Sequence, residues 1–588
     1  MNKSEIINRT LVTNAGVSNR SEDLKHYSEL FVDPIESDIL LRNTKQLIYG
    51  RRGSGKTLLI GALNEALQRD ITKTKVMSFS YSAINFRSSA EYGGLMPTVK
   101  EKTHAYFHSF IVQLSGDIFN LADNILRKPS LLDYFKLNGP IMTAKREQLA
   151  TAVLELMEAS SYGSEHPLPT SLKILQESTS TNQKKGTITA GIKTESAVSL
   201  GDPKLGVNAY AKADGSVSEE NTILRKLIYE TERCFNPSKV KRLLIEIIDI
   251  LELNCIIIFI DEWMSLAECQ IEFAERLKQC LFGESKISIK IAADPYQGQF
   301  NNSGQGHNFR GLEIGGDIFE AVNLDLPFRD QERQADLFSL ALYKRLSHLE
   351  PTLKEVFGSP LTWNSDYFIN SIFANKRAFI ELCNGAQGLC RDFHKMFQMC
   401  SKRINWNVSK QKIDIACVKK VIFEKTEETY GRIIKSIDSN RILFDVIRPH
   451  IMTNKSRYFI FESKPNEYSA VIKDLLSKRI IHNIPMSRIH STLRGEYDCF
   501  EIDYGIFSDL SRAMEFSTGE KMDEKYDEAE VSRITAPNKS HYLLRIAKNI
   551  IEEDGAEVLL CHSCGQEFSS NEKAYQARKI CPHCFMDQ

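Results

Sequence analysis

The stretch of sequence that decides the fold lies at residues 50–57. It reads Gly50-Arg51-Arg52-Gly53-Ser54-Gly55-Lys56-Thr57 and matches G-x-x-x-x-G-K-[ST] at every position. A short apolar run precedes it and an amphipathic helical pattern follows it, which is the context that a phosphate-binding loop requires. Glycines let such a loop fold tightly, so its N–H groups and the helix dipole bind phosphate. We therefore predict that Lys56 reaches the β- and γ-phosphates of a nucleotide and that Thr57 ligates Mg²⁺.

A second motif supplies the acidic groups that such a site needs. The apolar run Cys255–Ile260 ends in Asp261 and Glu262. Near-continuous apolar runs are typical of parallel strands covered on both faces, and open α/β sheets bind ligands at the carboxyl ends of their strands. We predict that Asp261 positions Mg²⁺ through water and that Glu262 polarises the attacking water. The alternative is that the acidic pair only caps a helix.

The two motifs together resemble those of the AAA+ ATPases, in particular the origin-recognition initiator-like clade and its prokaryotic relatives. The resemblance covers about residues 30–515 and is specific at the two motifs. It implies an α/β fold in which a P-loop AAA+ core with a five-stranded parallel sheet carries a helical lid and a C-terminal winged helix. It also implies ATP and Mg²⁺ as cofactors.

The resemblance implies two sensor residues. Asp294 follows the strand pattern at 287–293 and looks like the sensor-1 position, which lies between the strands of the two motifs. The alternative is a simple turn residue. Arg391, near the start of an amphipathic helix, looks like the sensor-2 arginine that contacts the γ-phosphate. Its alternative is a surface ion pair with Asp392.

Two further contacts follow from the resemblance. AAA+ enzymes usually complete the site with an arginine from a neighbouring subunit, and Arg310 is the candidate here, with Arg329 as a second possibility. The segment 31–34 stands where these ATPases hold adenine. Both assignments are expectations without a local motif of their own.

The end of the chain carries a metal-binding pattern. Cys561-x-x-Cys564 and Cys581-x-x-Cys584 are separated by sixteen residues, which fits the paired knuckles of a zinc ribbon. Four thiolates favour Zn²⁺ in a structural role because they leave no open position for chemistry. Redox pairs or coincidence are the alternatives.

The pattern along the chain predicts five parts. Within the core, a stretch rich in Gly, Ser, Thr and Lys indicates an inserted β-hairpin, with a flexible loop as the alternative. Nearer the C-terminal end, a helix is expected to stop at Pro449. The predicted parts are an AAA+ core at 1–330 with the insertion at about 161–222, a helical lid at 331–440, a winged helix at 441–515, a charged linker at 516–540 and a zinc ribbon at 541–588.

Composition limits the partners. The 588 residues hold 75 Lys and Arg against 76 Asp and Glu, so a globally basic nucleic-acid coat is excluded and DNA contact requires a local patch. The basic residues between Lys473 and Arg494, which include Lys478 and Arg479, are the candidate patch. No run is long and apolar enough for a membrane anchor or a signal peptide, so we expect a cytoplasmic protein without a membrane partner.

Two functions are compatible with these features. The first is a slow ATPase that couples its nucleotide state to DNA engagement or to assembly, as a homo-oligomer. The second is a signalling or defence switch in which ATP gates oligomerisation and a separate effector protein acts. Stimulation of ATP hydrolysis by double-stranded DNA would support the first, whereas indifference to DNA together with ATP-dependent growth in particle size would support the second.

Overall fold

The fold is seen in a computed structural model that describes most of the chain. It describes residues 3–14, 27–35, 37–91, 98–125, 138–160, 236–302, 309–325, 327, 331–358, 363–406, 411–433, 437–462, 469–484, 497–518, 558–560, 567–569 and 586. The predicted insertion at 161–222, Arg329, most of the charged linker and the four clustered cysteines lie outside these residues.

The described residues form α-helices with short 3₁₀ and π segments between them. The α-helices are α1 Lys3–Asn14, α2 Tyr27–Leu30, α3 Lys56–Arg69, α4 Ile71–Thr74, α5 Ala83–Glu91, α6 Val99–Ile125, α7 Asn138–Ser160, α8 Pro237–Ile250, α9 Gln270–Leu277, α10 Gln331–Leu349, α11 Leu353–Phe357, α12 Ser365–Ile372, α13 Lys376–Ala386, α14 Cys390–Ser401, α15 Ile415–Ile433, α16 Ile437–Arg441, α17 Arg448–Asn454, α18 Ser469–Ser477 and α19 Tyr504–Thr518. The 3₁₀ segments are Ser37–Leu41 and Trp263–Cys269, and the π segments are Lys278–Phe282 and Ile442–Ile447.

A five-stranded parallel sheet organises the first part of the chain and confirms the α/β prediction. Its strands are β1 Gln46–Tyr49, β2 Val76–Ser82, β3 Cys255–Asp261, β4 Ile287–Ala293 and β5 Glu320–Asn323. Their order across the sheet is β2-β3-β4-β1-β5, and every pairing is parallel. The strand that precedes the glycine-rich loop and the strand that ends in Asp261 are therefore separated by one strand only.

The apolar sequence of β3 is explained by burial on both faces of the sheet. Ile256, Ile258 and Ile260 pack into the core on one face. The residues between them, Ile257 and Phe259, pack on the other face against apolar residues of α3. Because successive side chains of a strand point to opposite faces, a strand with two covered faces needs apolar residues at every position.

A helical bundle follows the sheet and has a core of its own. Helices α10 to α15 surround a cluster of buried apolar side chains that includes Phe338, Phe379 and Phe393. Helix α1 also belongs to this bundle, since Ile6 and Leu11 are buried in the same cluster. The first helix of the predicted core, 1–330, thus packs with the part of the chain that was predicted as a lid.

The C-terminal unit, residues 437–518, combines helices α16 to α19 with a small antiparallel sheet. The strands β6 Tyr458–Glu462, β7 Ile481–Ile484 and β8 Tyr497–Ile502 lie in the order β6-β8-β7. A separate antiparallel pair, β9 Val558–Leu560 with β10 Glu567–Ser569, lies further along the chain. Among the described helices, none combines the length and apolar character needed to cross a lipid bilayer.

The helix that was expected to stop at Pro449 does not stop there. A π segment, Ile442–Ile447, leads directly into α17, and Pro449 occupies the first turn of that helix. Proline is tolerated in a first turn because the N–H group that it lacks has no partner within the helix at that position.

Candidate functional site

One cavity of about 520 Å³ lies at the carboxyl ends of β1, β3 and β4. Helix α3 contributes Lys56 and Thr57, strand β3 contributes Asp261, the bundle contributes Arg391, and the C-terminal unit contributes Arg479. The cavity is therefore enclosed by three parts of the chain. Open α/β sheets bind ligands at this edge, where the loops after neighbouring strands diverge.

The glycine-rich loop takes the conformation that a phosphate cradle needs. Gly53 and Gly55 have φ angles of 97° and 103°, in the left-handed region that glycine enters without steric cost. Helix α3 begins at Lys56, directly after the loop, and directs its positive end to the cavity. A side chain at Gly50 would require the Ser54 side chain to move, because its Cβ would overlap the Ser54 hydroxyl oxygen.

Lys56 is the cation of the site. It is buried, and its Nζ donates hydrogen bonds to the carbonyl oxygens of Gly50 at 2.5 Å and Arg51 at 3.1 Å. Burial lowers the pKa of Lys56, and the nearby carboxylates of Asp261, Asp325 and Asp294 oppose that effect. The lysine thus faces a ring of acidic groups, and a bound phosphate would give its charge a partner.

Thr57 and Asp261 meet although 204 residues separate them in sequence. The Thr57 hydroxyl donates to Asp261 Oδ2 at 2.5 Å, and Asp261 is 6% exposed. Oxygen donors of these two kinds are the ligands that Mg²⁺ prefers, usually together with waters and substrate phosphates. The pair fits the predicted metal position, and it would hold the ion against the phosphates.

Glu262 is held in place by Ser82, a residue that the sequence analysis did not identify. The hydroxyl of Ser82, at the end of β2, donates to Glu262 Oε2, and both Glu262 and Asp261 line the cavity. The φ of Glu262 is 55°, a left-handed conformation that costs a non-glycine residue about 1 kcal/mol or more. Ser82 pairs with Asp261 in the sheet register, so only the strand order could have pointed to it.

Asp294, the predicted sensor-1 residue, directly follows strand β4. Strand β4 pairs with both β1 and β3, so the residue after β4 lies between Lys56 and Asp261. Asp294 lines the cavity, and its carboxylate accepts the backbone N–H of Tyr296 at 2.9 Å. Burial raises the pKa of Asp294, and that hydrogen bond and the charge of Lys56 act against the rise. Asp294 is therefore both a turn residue, as in the alternative interpretation, and a residue that lines the cavity.

Arg391 also lies at the cavity. It is the second residue of α14, its side chain lines the cavity, and its backbone N–H donates to the carbonyl oxygen of Gly53 at 3.2 Å. Asp392, the partner in the alternative of a surface ion pair, is buried and does not lie at the surface. Asp392 instead lies 2.7 Å from Arg479 Nη1 and 3.3 Å from Lys425 Nζ.

Arg310 is not brought to this site within one chain. Its side chain is 64% exposed and donates to Glu272 Oε1 at 2.9 Å, and it does not line the cavity. A role as an arginine finger would require a neighbouring copy of the chain, so that role stays a prediction.

The predicted base contacts lie at the same cavity. Phe31, Val32 and Pro34 line it together with Leu337 and Ala341 of α10. A hydrogen bond fixes the segment to that helix, because Arg333 Nη2 donates to the Pro34 carbonyl oxygen at 2.8 Å. An apolar wall of this kind suits the flat face of a nucleobase.

The four clustered cysteines lie outside the described residues, but the strands beside the first pair are described. In the antiparallel pair of β9 and β10, Leu560 is opposite Glu567, and Cys561 and Cys564 lie between these strands in sequence. A short hairpin around C-x-x-C is the setting of a zinc knuckle. In the part of the chain that the structure describes, no group of three or more His, Cys, Asp or Glu side chains is arranged to hold a metal ion.

Neither the family models nor the curated proteins contain a match to this chain. Its function must therefore be inferred from the residues and contacts of the site itself.

Proposed function

We propose that this chain binds ATP with Mg²⁺ in the cavity and hydrolyses it slowly. One observation carries the proposal: the Thr57 hydroxyl and the Asp261 carboxylate are 2.5 Å apart at the start of a helix whose first residue, Lys56, is buried beside them. A hydroxyl, a carboxylate and a lysine at the end of a glycine-rich loop form the set of groups that holds a metal–triphosphate.

The roles of the residues follow from their chemistry. Lys56 and the loop N–H groups would neutralise phosphate charge, and Thr57 and Asp261 would hold Mg²⁺, which would supply further positive charge for the phosphates. Glu262 would accept a proton from the attacking water, with Ser82 holding its carboxylate in place. Asp294 would align that water, and Arg391 would contact the γ-phosphate from the bundle.

We also propose that the chain is an AAA+ ATPase with a lid, a winged helix and a zinc ribbon. The support is the order β2-β3-β4-β1-β5, which puts the strand of Asp294 between the strands of the two nucleotide motifs, and the bundle that presents Arg391 to the cavity. The helices and three-stranded sheet of residues 437–518 are the proposed winged helix.

Phosphate release from ATP by the full chain tests the proposed activity. We expect turnover in Mg²⁺ and its loss when EDTA is added, because Thr57 and Asp261 are oxygen ligands without a tight cage of their own. Phosphate release that is equal with and without EDTA would contradict the metal assignment.

We propose assembly rather than DNA engagement as the process coupled to ATP. Lys478 Nζ lies 2.6 Å from Asp474 and Arg479 Nη1 lies 2.7 Å from Asp392, so these two basic side chains of the predicted DNA patch have carboxylate partners within the chain. Paired cations release fewer counterions on binding DNA than free ones do.

Two measurements on one sample separate these outcomes. We expect ATP with Mg²⁺ to increase the particle size in light scattering, and we expect double-stranded DNA to change ATP turnover by less than about twofold. Turnover that rises more than about tenfold with DNA, at constant particle size, would reverse the preference. An arginine supplied by a neighbouring copy, with Arg310 as the candidate, predicts that turnover rises with protein concentration.

A structural zinc ion is proposed for the last part of the chain. We expect about one Zn²⁺ per chain after purification without chelator, and we expect Cys561→Ser or Cys581→Ser to lose it, since three thiolates hold the ion less well than four. Cys499→Ser, at a buried cysteine of the C-terminal unit, is the control and should retain zinc. A metal analysis without zinc would remove the ribbon and leave the nucleotide site untouched.

A further inference from the structure

Arg479, in the C-terminal unit, connects the bundle with the glycine-rich loop. It follows α18 with a φ of 63°, and its side chain is 17% exposed. Nη1 donates to Asp392 Oδ1 at 2.7 Å, and Nη2 donates to the carbonyl oxygen of Arg52. The guanidinium of Arg479 therefore connects a carboxylate of the bundle with the backbone of the glycine-rich loop.

Arg51 makes the reciprocal contact from the loop. Its Nη1 is 2.6 Å from Nδ1 of His482 on β7, and its Nη2 donates to the Gln387 carbonyl oxygen at 2.7 Å. Since a guanidinium only donates hydrogen bonds, Nδ1 of His482 must accept, and the imidazole is neutral. Burial lowers the pKa of His482, which agrees with a neutral ring.

The main effect of these contacts is to fix the position of the loop, and their effect on the charge of the cavity is reduced by neighbouring carboxylates. Arg51 lies beside Asp325, with Nε 3.2 Å from Oδ2, and Arg479 is paired with Asp392. Burial alone would raise the pKa of Asp392, but Lys425 and Arg479 outweigh that effect and hold it below its usual range. Because Arg51 and Arg479 each lie beside a carboxylate, part of their positive charge is balanced within the chain.

The held residues are those that set the shape of the loop. Arg51 and Arg52 directly precede Gly53, whose carbonyl oxygen is itself held by the Arg391 N–H. A loop that is already fixed in its binding conformation loses less conformational entropy when a ligand arrives. The C-terminal unit is therefore placed to increase the affinity of the loop for phosphate.

We propose that the C-terminal unit is part of the nucleotide site and that Arg479 is a positioning residue of the phosphate loop. Docking of this unit raises nucleotide affinity, and by thermodynamic linkage bound nucleotide strengthens the docking by the same factor. This proposal rests on the proposed binding of ATP. It assigns Arg479 to the nucleotide site instead of to DNA.

The affinity of the full chain for N-methylanthraniloyl-ATP with Mg²⁺ tests the role of Arg479. We expect Arg479→Gln to weaken binding about tenfold, because two charge-assisted hydrogen bonds to the lid and the loop are lost. Arg479→Lys should recover part of the affinity. Lys478→Gln is the matched control, with the same charge change one residue away and a partner, Asp474, within its own helix. Equal affinity of Arg479→Gln and the unaltered chain would overturn the proposal.

A second measurement needs no variant. Amide hydrogen exchange of the unaltered chain should slow at β7 when ATP and Mg²⁺ are added, whereas α8, remote from these contacts, should be unchanged. Exchange at β7 that is indifferent to nucleotide would also overturn the proposal. An unaltered chain that binds no fluorescent nucleotide would instead refute the proposed function, and the positioning role with it. If the unaltered chain binds the nucleotide tightly but neither the Arg479→Gln affinity loss nor the slower exchange at β7 is seen, only the positioning role is refuted.

Discussion

Lys56→Ala should abolish nucleotide binding, with an affinity loss of about 100-fold or more. The lysine is the buried cation of the loop, and its loss removes charge-assisted contacts to two phosphates at once. A factor of 100 corresponds to about 2.7 kcal/mol of binding free energy. Calorimetric titration of the full chain with ATP and Mg²⁺ measures it.

The control for this variant is an exposed lysine a short distance along the chain. Lys73 on α4 has a side chain that is 84% exposed and 4.0 Å from Asp70, so Lys73→Ala should bind ATP as the unaltered chain does. Lys56 makes hydrogen bonds only to loop carbonyls among the contacts described above, so the fold should survive its removal. A Lys56→Ala variant that still binds ATP within about threefold of the unaltered chain would refute the phosphate assignment.

Glu262→Gln should separate binding from hydrolysis. The amide cannot accept the proton of the attacking water, and loss of a general base lowers turnover by about 10²- to 10⁴-fold. Affinity should change little, because the amide oxygen still accepts the hydrogen bond from Ser82 and the other polar groups of the cavity are untouched. Single-turnover phosphate release together with an equilibrium binding curve measures both quantities.

Glu268→Gln provides the comparison for this second variant. Glu268 lies six positions further along, is half exposed, and pairs with Lys102 at 2.7 Å, away from the cavity. It should hydrolyse ATP at the normal rate. Equal turnover in the Glu262→Gln variant and the unaltered chain would show that another group activates the water.

The nucleotide motifs were predictable because each is contiguous in sequence. Residues 50–57 carry their own glycines and lysine, and the β3 run reveals its burial on both faces through its composition alone. The two motif predictions needed local patterns and one topological rule, that ligands gather at the carboxyl ends of parallel strands. The sensor role of Asp294 was instead implied by the resemblance to the AAA+ ATPases.

What could not be predicted depends on pairs that are distant in sequence. Ser82 reaches Glu262 only because β2 and β3 are neighbours in register, and Arg51 meets His482 across 431 residues. No local pattern shows that Arg479, a candidate for DNA contact in the sequence, contacts the glycine-rich loop instead. The prediction at Pro449 was wrong because a new helix begins at Arg448, directly after the π segment, and Pro449 lies in its first turn.

The place of α1 in the bundle has a consequence for synthesis of the protein. Asn14 bonds to Arg345 and Gln398, which the ribosome adds 331 and 384 residues later. At about 5–20 residues per second, that delay lasts some tens of seconds. Because the residues against which Ile6 and Leu11 pack are made later, α1 can take its place only after the bundle has been synthesised.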